Sequence, residues 1–458
     1  METRYNWVLL IRVVLIAAMG GLLFGYDWVV IGGAKAFYET YFGLDDPFRI
    51  GWAINSAVVG CMLGALVSGA LSDKFGRKYL LVLAGALFLV SALGSGHTNS
   101  FAGLLAYRLI GGVGMGLASA LSPVYIAEIT PAPVRGRFVS TNQLAIVVGV
   151  VAAQVANWLI AEPVADSADL LETWNAQRGW RWMFWAEGVP ATLFALLMLT
   201  VPESPRWLVK NGRKDRARAI LRHVGGAAHA DEEVGDIEAT LANEIGRVNF
   251  RDLLAPGVFK IVLVGAFLAV FQQWCGINVV FQFAEEVFTD AGFDLNAMLF
   301  NVVIIGGVML LSTLVAIQTV DKLGRRALML FGSAGLALTY VLLGFGYHTG
   351  MTGPLMLALI IAAVAVYSVT LAPIVWVLLS EIFPNRIRGA AMAVGVFALW
   401  FGNGTLTLSF PYLRDGLNIA ATFWLYAAIC IIGFLVVFRY VPETKQKSLE
   451  EIEREFVD

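Results

Sequence analysis

Long apolar stretches alternate with short polar breaks along most of the 458-residue chain. Twelve such stretches begin near residues 8, 50, 78, 101, 139, 181, 257, 296, 327, 354, 389 and 419. At roughly 20 residues, each is long enough for a helix that crosses a bilayer. A polar stretch at 203–256, rich in Lys and Arg and helical in pattern at its start, separates the sixth from the seventh. The pattern predicts an all-α integral membrane protein with two groups of six transmembrane helices joined by a helical linker.

Composition supports a membrane protein and excludes several other classes. Apolar residues make up 58% of the chain and charged residues only 14%, far from the usual balance of a soluble domain. The net charge of −2 gives no basis for nucleic-acid binding, and the first apolar stretch is too long for a signal peptide and lacks its cleavage flank. The three cysteines and four histidines lack the spacing of disulfides or metal ligands. We expect no metal and no cofactor.

The charges of the short loops predict the orientation of the chain. Basic loops ("DKFGRK", "PVRGR", "DKLGRR", "RIRG") alternate with acidic, Lys-poor ones ("YETYFGLDDPF", "AEPVADSADLLE", "AEEVFTDAGFD"). Basic loops remain in the cytoplasm by the positive-inside rule. Both termini and the linker are therefore expected on the cytoplasmic side.

Three motifs recur in the two halves at offsets of about 240 to 253 residues. They are "SDKFGRK" (72–78) and "VDKLGRR" (320–326), "AEITPAPVRG" (127–136) and "SEIFPNRIRG" (380–389), and "VPESPRW" (201–207) and "VPETK" (441–445). We therefore expect the chain to consist of four regions: an N-terminal bundle at 1–202, a linker at 203–256, a C-terminal bundle at 257–441 and a cytoplasmic tail at 442–458. Parallel six-span repeats are typical of transporters whose substrate site lies between two pseudo-symmetric bundles.

Both copies of these motifs carry charges around a turn or a helix end. Gly76, for example, permits a tight turn between Asp73 and the cations Arg77 and Lys78. The duplicated order predicts ion pairs that latch the cytoplasmic face while the outer face is open. The candidate gate residues are Asp73, Arg77, Lys78, Glu128, Arg135, Glu203, Arg206, Asp321, Arg325, Arg326, Glu381, Arg388 and Glu443. The alternative is a set of ordinary positive-inside loops with partnered charges.

Three ionisable residues lie at one depth inside the apolar stretches. Asp27 in the first, Arg108 in the fourth and Glu187 in the sixth are each about 10 Å from the outer end of their span. A charge there costs at least ~2.5–3.5 kcal/mol, so each is expected to face the protein interior, with Asp27 paired to Arg108. Arginine does not release its proton, whereas a buried carboxylate can take one up. Asp27 is therefore the predicted proton site, with a fixed structural ion pair as the alternative.

The seventh apolar stretch contains an unusual cluster of amides, in "FQQWCGINVVFQF" (271–283). Gln272, Gln273 and Asn278 can donate and accept hydrogen bonds together, and aromatic faces cover the apolar side of a sugar ring. This combination suits a neutral polyol. The alternative is that the amides bond neighbouring helices.

The motifs together resemble the sugar porter family of the major facilitator superfamily. "GGLLFGYD", "RLIGGVGMGLAS", "PVYIAEITPAPVRGR", "VPESPRWL", "FQQWCGIN", "DKLGRR", "WVLLSEIFPNRIRG" and "VPETK" have counterparts there in the same order. The resemblance covers essentially the whole chain and is strongest to bacterial proton-coupled sugar symporters, including those for xylose. It implies the major facilitator fold, and it implies proton coupling by Asp27 and Arg108, because facilitators are uncharged at the Asp position.

The resemblance also implies further pocket residues. Gln154 matches a sugar-binding amide, and Phe24, Trp376 and Trp400 match pocket aromatics. Gln282 and Phe283 stand where the family commonly has two tyrosines, and Met309 and Leu399 stand where it often has amides. The sequence does not distinguish a pentose from a hexose.

We therefore expect a monomeric plasma-membrane protein, in a bacterial inner membrane, that imports a monosaccharide with protons by alternating access. A sugar uniporter, a channel, an exporter of another solute and a non-transporting sugar sensor are the alternatives. An enzyme is disfavoured because no catalytic constellation is present. Ser448 and Glu451 have the spacing of a capping box, which predicts a short helix in the tail.

Overall fold

The computed structural model describes residues 5–165, 169–243, 253–383 and 388–445. These residues form helices and connecting segments, without strands among them. The first half contains α1 (Trp7–Phe42), α2 (Pro47–Phe75), α3 (Arg77–His97), α4 (Phe101–Ile129), α5 (Arg135–Ile160) and α6 (Trp180–Met198). The linker contains α7 (Pro205–Lys210) and α8 (Lys214–Asn243). The second half contains α9 (Pro256–Trp274), α10 (Ile277–Gln282), α11 (Ala284–Asp290), α12 (Leu295–Leu323), α13 (Arg325–His348), α14 (Pro354–Val369), α15 (Leu371–Ile382), α16 (Arg388–Leu417) and α17 (Ile419–Tyr440).

The helices confirm the predicted all-α membrane fold. Helices begin close to all twelve predicted starts, and the largest difference is between the predicted residue 139 and the observed start of α5 at 135. Eleven helical segments among the described residues are long and apolar enough to cross a membrane. The 19-residue α6 is not among the eleven. It contains Arg181 and Glu187, which lower its apolar content.

Two spans of the second half are interrupted. In the seventh, Gly276 has a positive φ of 86° between α9 and α10. In the tenth, Thr370 has non-helical angles (φ −116°, ψ −84°) between α14 and α15. This second break lies three residues before Pro373, because the proline ring conflicts with helical backbone on its N-terminal side.

The chain divides into two compact units whose boundaries fall inside several helices. The first contains residues 1–28, 60–153 and 184–247, and the second contains 29–59, 154–183 and 248–458. In the first unit, Trp207, Leu208 and Val209 of α7 pack with Leu221 and Val234 of α8 in a small apolar core. The predicted helix beginning at Ser448 lies outside the described residues.

Candidate functional site

Asp27 and Arg108 form an ion pair in the interior of the first unit. Both side chains are buried, and the Arg108 guanidinium donates to the Asp27 carboxylate and also to its backbone carbonyl at 3.2 Å. The same guanidinium lies over the ring of Phe184, 5.8 Å from its centroid. α1 and α4 thus bring together the two residues that the sequence predicts to pair.

The carboxyl group of Glu187 joins this pair. It is fully buried on α6, near enough to Asp27 and Arg108 for their charges to interact. Neither Glu187 oxygen accepts a hydrogen bond from a nitrogen or hydroxyl donor among the described residues. Two ionised carboxyl groups beside one guanidinium leave a net negative charge in a buried site, which disfavours the fully ionised form. The three residues therefore form a site that can hold a proton.

Small side chains pack closely around this site. A Cβ added at Gly111 of α4 would lie 2.3 Å from Ser91 Oγ and 3.3 Å from Asp27 Oδ2. A larger residue at this position would require Ser91 to move, so glycine lets the backbone of α4 lie close to both Ser91 and Asp27. The Tyr26 hydroxyl is also buried.

In the second unit, three amides are joined by hydrogen bonds. Gln273 Oε1, at the end of α9, accepts from Asn278 Nδ2 of α10 and from Asn403 Nδ2 of α16, the latter at 2.9 Å. The left-handed conformation of Gly276 turns the chain between the first two residues. The sequence predicts Gln273 and Asn278 as sugar-binding amides. Asn403 was missed, although an amide in the apolar stretch "WFGNGT" is the same kind of signal.

The other predicted amides have different surroundings. Gln272 Nε2 donates to the carbonyl oxygens of Leu371 and Ala372 at 3.2 Å each, so this amide supports the first turn of α15. Gln154 is buried, and neither its oxygen nor its nitrogen has a hydrogen-bond partner among the described residues. The buried Gln282 likewise has an oxygen without a donor there. Buried polar atoms are nearly always hydrogen-bonded, so these amides have unused capacity for a polar ligand.

The predicted aromatic residues occupy four places. Phe24 stacks on Trp28 of α1, with ring centroids 6.2 Å apart. Phe283 is buried against the ring of Phe410 at 4.5 Å. Trp400 is buried, whereas Trp376 is 39% exposed.

Charged residues of the first motif copies form a cluster within the first unit. Arg77 forms ion pairs with Glu128, at 3.0 Å, and with Asp73, at 3.4 Å. Glu203 accepts from the backbone N–H groups of Arg77 at 3.0 Å and Lys78 at 3.1 Å, at the start of α3. Burial raises the pKa of Glu203, although these N–H groups oppose the shift.

The rest of this cluster bonds mainly to backbone. Lys78 Nζ donates to the Leu199 carbonyl at 2.9 Å, and Arg135 Nε donates to the Thr130 carbonyl at 3.4 Å. Arg206 lies in the first turn of α7.

The second motif copies repeat the arrangement within the second unit. Arg325 pairs with Glu381 at 3.1 Å. Glu443 accepts from the backbone N–H groups of Arg325 at 2.9 Å and Arg326 at 3.1 Å. Arg326 donates to the Phe438 carbonyl at 2.7 Å, as Lys78 does to that of Leu199. The side chains of the other two predicted gate residues, Asp321 and Arg388, lie outside the described part of the structure.

Comparison with known proteins gives a consistent set of relatives. A family model described as "Sugar (and other) transporter" matches residues 13–456. The D-xylose-proton symporter of Escherichia coli K12 is 39% identical, with 99% of this chain and 97% of that protein covered. The arabinose-proton symporter of Bacillus subtilis is 39% identical, with 96% and 93% covered. An inward-open structure of the Escherichia coli xylose transporter XylE superposes with a TM-score of 0.86 at 36% identity, covering 97% of this chain and 99% of that one.

Proposed function

The chain belongs to the sugar (and other) transporter family, and we propose that it is a secondary active transporter that imports a monosaccharide together with protons by alternating access. Its similarity to the xylose-proton and arabinose-proton symporters supports both the sugar and the coupling ion. Transport is the function of these relatives, and we propose no enzymatic activity for this chain.

The observation that carries proton coupling is the buried group formed by Asp27, Glu187 and Arg108. With one proton shared by the two carboxyl groups, the charges of the three residues sum to zero. Loss of that proton leaves a net negative charge in a water-poor interior, which is unfavourable. Proton binding and release therefore change the energy of the states in which the group is buried, and this links the proton to the conformational cycle.

Sugar binding is proposed at the amides of the second unit. Gln273 is oriented by Asn278 and Asn403, and Gln154 and Gln282 have hydrogen-bonding atoms not used by the described protein. Such groups match sugar hydroxyls, which both donate and accept. Phe283, Trp376 and Trp400 of the same unit are proposed as the aromatic contacts.

The remaining proposals concern the membrane and the gate. The basic motif loops, the linker and both termini are proposed to face the cytoplasm of a bacterial plasma membrane, and the chain is proposed to act as a monomer. The two motif clusters, Arg77 with Glu128 and Arg325 with Glu381, are proposed to stabilise the cytoplasmic face in one state of the cycle.

Uptake into proteoliposomes tests the function. We expect radiolabelled pentose or hexose to accumulate inside the proteoliposomes when the outside is acidic. When the proton gradient is collapsed, the sugar should reach the outside concentration and no more. Equal uptake with and without the gradient would instead indicate a uniporter. No uptake of any sugar in the panel would contradict the proposal.

A further inference from the structure

A second group of charges, in which Lys35 and Glu286 are buried, lies in the other compact unit and begins eight residues along α1 from Asp27. The ammonium group of Lys35 is 2.7 Å from a Glu39 carboxylate oxygen, 2.7 Å from Glu286 and 3.5 Å from Glu285. The Lys35 side chain is only 2% exposed. It also lies over the ring of Phe283, 5.9 Å from the centroid. We call these four charged residues the Lys35 cluster.

The Lys35 cluster connects the two halves of the sequence. Lys35 and Glu39 belong to the first span, whereas Glu285 and Glu286 begin α11, directly after the interrupted seventh span. Close packing continues beside it, because a Cβ at Gly32 would lie 2.1 Å from the Phe281 carbonyl oxygen. The Lys35 cluster therefore holds this end of α1 against α11.

The three carboxyl groups outnumber the single ammonium group. Tyr38 and Arg414 also face the cluster, but Arg414 is paired with Asp290 at 3.3 Å. With every carboxyl ionised, the Lys35 cluster carries a net charge of −2. One oxygen each of Glu39 and Glu286 is buried without a hydrogen-bond donor among the described residues. Like charges in contact in a buried site favour proton uptake by one of them.

We propose that the Lys35 cluster is a second proton-binding site and forms the outer gate, which closes when its surplus carboxyl groups take up protons from the outside. The proposal rests on the proposed function in one respect, which is the orientation of α1 in the membrane. In that orientation the Lys35 end of α1 faces outward. Closing the gate desolvates the carboxyl groups around Lys35, and opening returns them to water. External acidity thereby favours closure after proton and sugar have entered.

The sign of the pH dependence follows from the surroundings of Glu285, which lies outside the apolar spans. Burial raises its pKa, and the charge of Glu286 adds to the shift, while Lys35 opposes it. A carboxyl with a raised pKa in the closed state binds its proton more tightly there. Closure is therefore favoured at low pH, and this contribution is lost as the pH rises through the raised pKa.

Hydrogen exchange of the full-length protein in lipid nanodiscs tests the proposal without any sugar. Peptides covering 29–42 and 284–294 are followed at pH 6 and pH 8, with correction for intrinsic chemical exchange. We expect faster exchange at pH 8, by about tenfold for each unit by which closure raises the pKa. The double substitution Glu285→Gln and Glu286→Gln removes the carboxyl group that sets this sign, leaves one balanced Lys35–Glu39 pair at 2.7 Å, and should abolish the pH dependence.

Further variants separate gating from misfolding and from the proposed transport function. Lys35→Met should speed exchange in both peptides at both pH values by on the order of tenfold or more, because three carboxyl groups lose their partner. Lys214→Met removes an exposed ion pair with Glu238 of the linker and should leave both peptides unchanged. Asp27→Asn should retain the pH dependence, since its proton site is separate.

Two results would overturn the proposal. One is a wild-type protein whose corrected exchange in these peptides is equal at pH 6 and pH 8. The other is a pH dependence that persists in the Glu285→Gln and Glu286→Gln protein while thermal melting shows that it is folded. A failure of sugar uptake would contradict the proposed function and leave these exchange results interpretable.

Discussion

Truncation of Gln273 to Ala removes the acceptor that two buried amides share. Its Oε1 accepts from Asn278 Nδ2 and Asn403 Nδ2, which come from different helices. A neutral hydrogen bond contributes about 0.5–1.5 kcal/mol, and a buried donor left without a partner costs about 1–3 kcal/mol. If Gln273 also contacts a sugar hydroxyl, its loss weakens binding by about 1–3 kcal/mol, or roughly 5- to 150-fold in affinity.

The neighbouring Gln272 provides a matched variant of the same size on the same helix. Its Nε2 donates to the carbonyl oxygens of Leu371 and Ala372, so Gln272→Ala should lower thermal stability more than it lowers sugar affinity. Gln273→Ala should show the opposite balance. The contrast separates a loss of ligand contacts from a general loss of structure.

Isothermal titration of the purified protein with a panel of pentoses and hexoses measures these affinities. Asn403→Ala, alone and combined with Gln273→Ala, should show non-additive losses, because the two side chains bond directly. An unchanged affinity in folded Gln273→Ala protein would show that Gln273 does not contact the sugar.

Two further predictions concern the backbone and a helix start. Gly276→Ala should lower the melting temperature and the yield of folded protein, because φ at this residue is 86° and the new Cβ would lie 2.6 Å from the Tyr426 ring. A melting temperature equal to that of the wild type would contradict this prediction. Glu443→Gln removes a negative charge from the start of α13 and should lower the free energy of unfolding by about 0.3–1 kcal/mol. A gain in stability would show that the charge does not favour the helix start.

The local features of the fold could be predicted from the sequence. Hydropathy alone located the starts of α4, α14 and α17 at residues 101, 354 and 419, because each follows a polar or Gly-rich break. The repeated motifs also indicated the charged clusters at the two repeats, since each copy places an acid and an arginine at equivalent helix ends. These signals are local, and the structure adds the partner of each charge.

The long-range features could not be predicted in the same way. Asn403 lies 130 residues from Gln273, and nothing in the spacing of either stretch indicates their hydrogen bond. Lys35 is visible as a charge just after the first apolar stretch, but its partner Glu286 is in a segment that the sequence indicates only as an acidic loop. Tertiary packing determines which polar residues of an apolar span meet.

Coupling of sugar movement to protons at Asp27 is tested directly by the Asp27→Asn protein. Uptake against a concentration gradient is measured in proteoliposomes with an acidic exterior, alongside sugar counterflow without a gradient. We expect Asp27→Asn to abolish accumulation and to retain counterflow, because the amide fills the same space and neither takes up nor releases a proton at physiological pH. Uphill accumulation by the Asp27→Asn protein would show that the coupling proton is carried elsewhere.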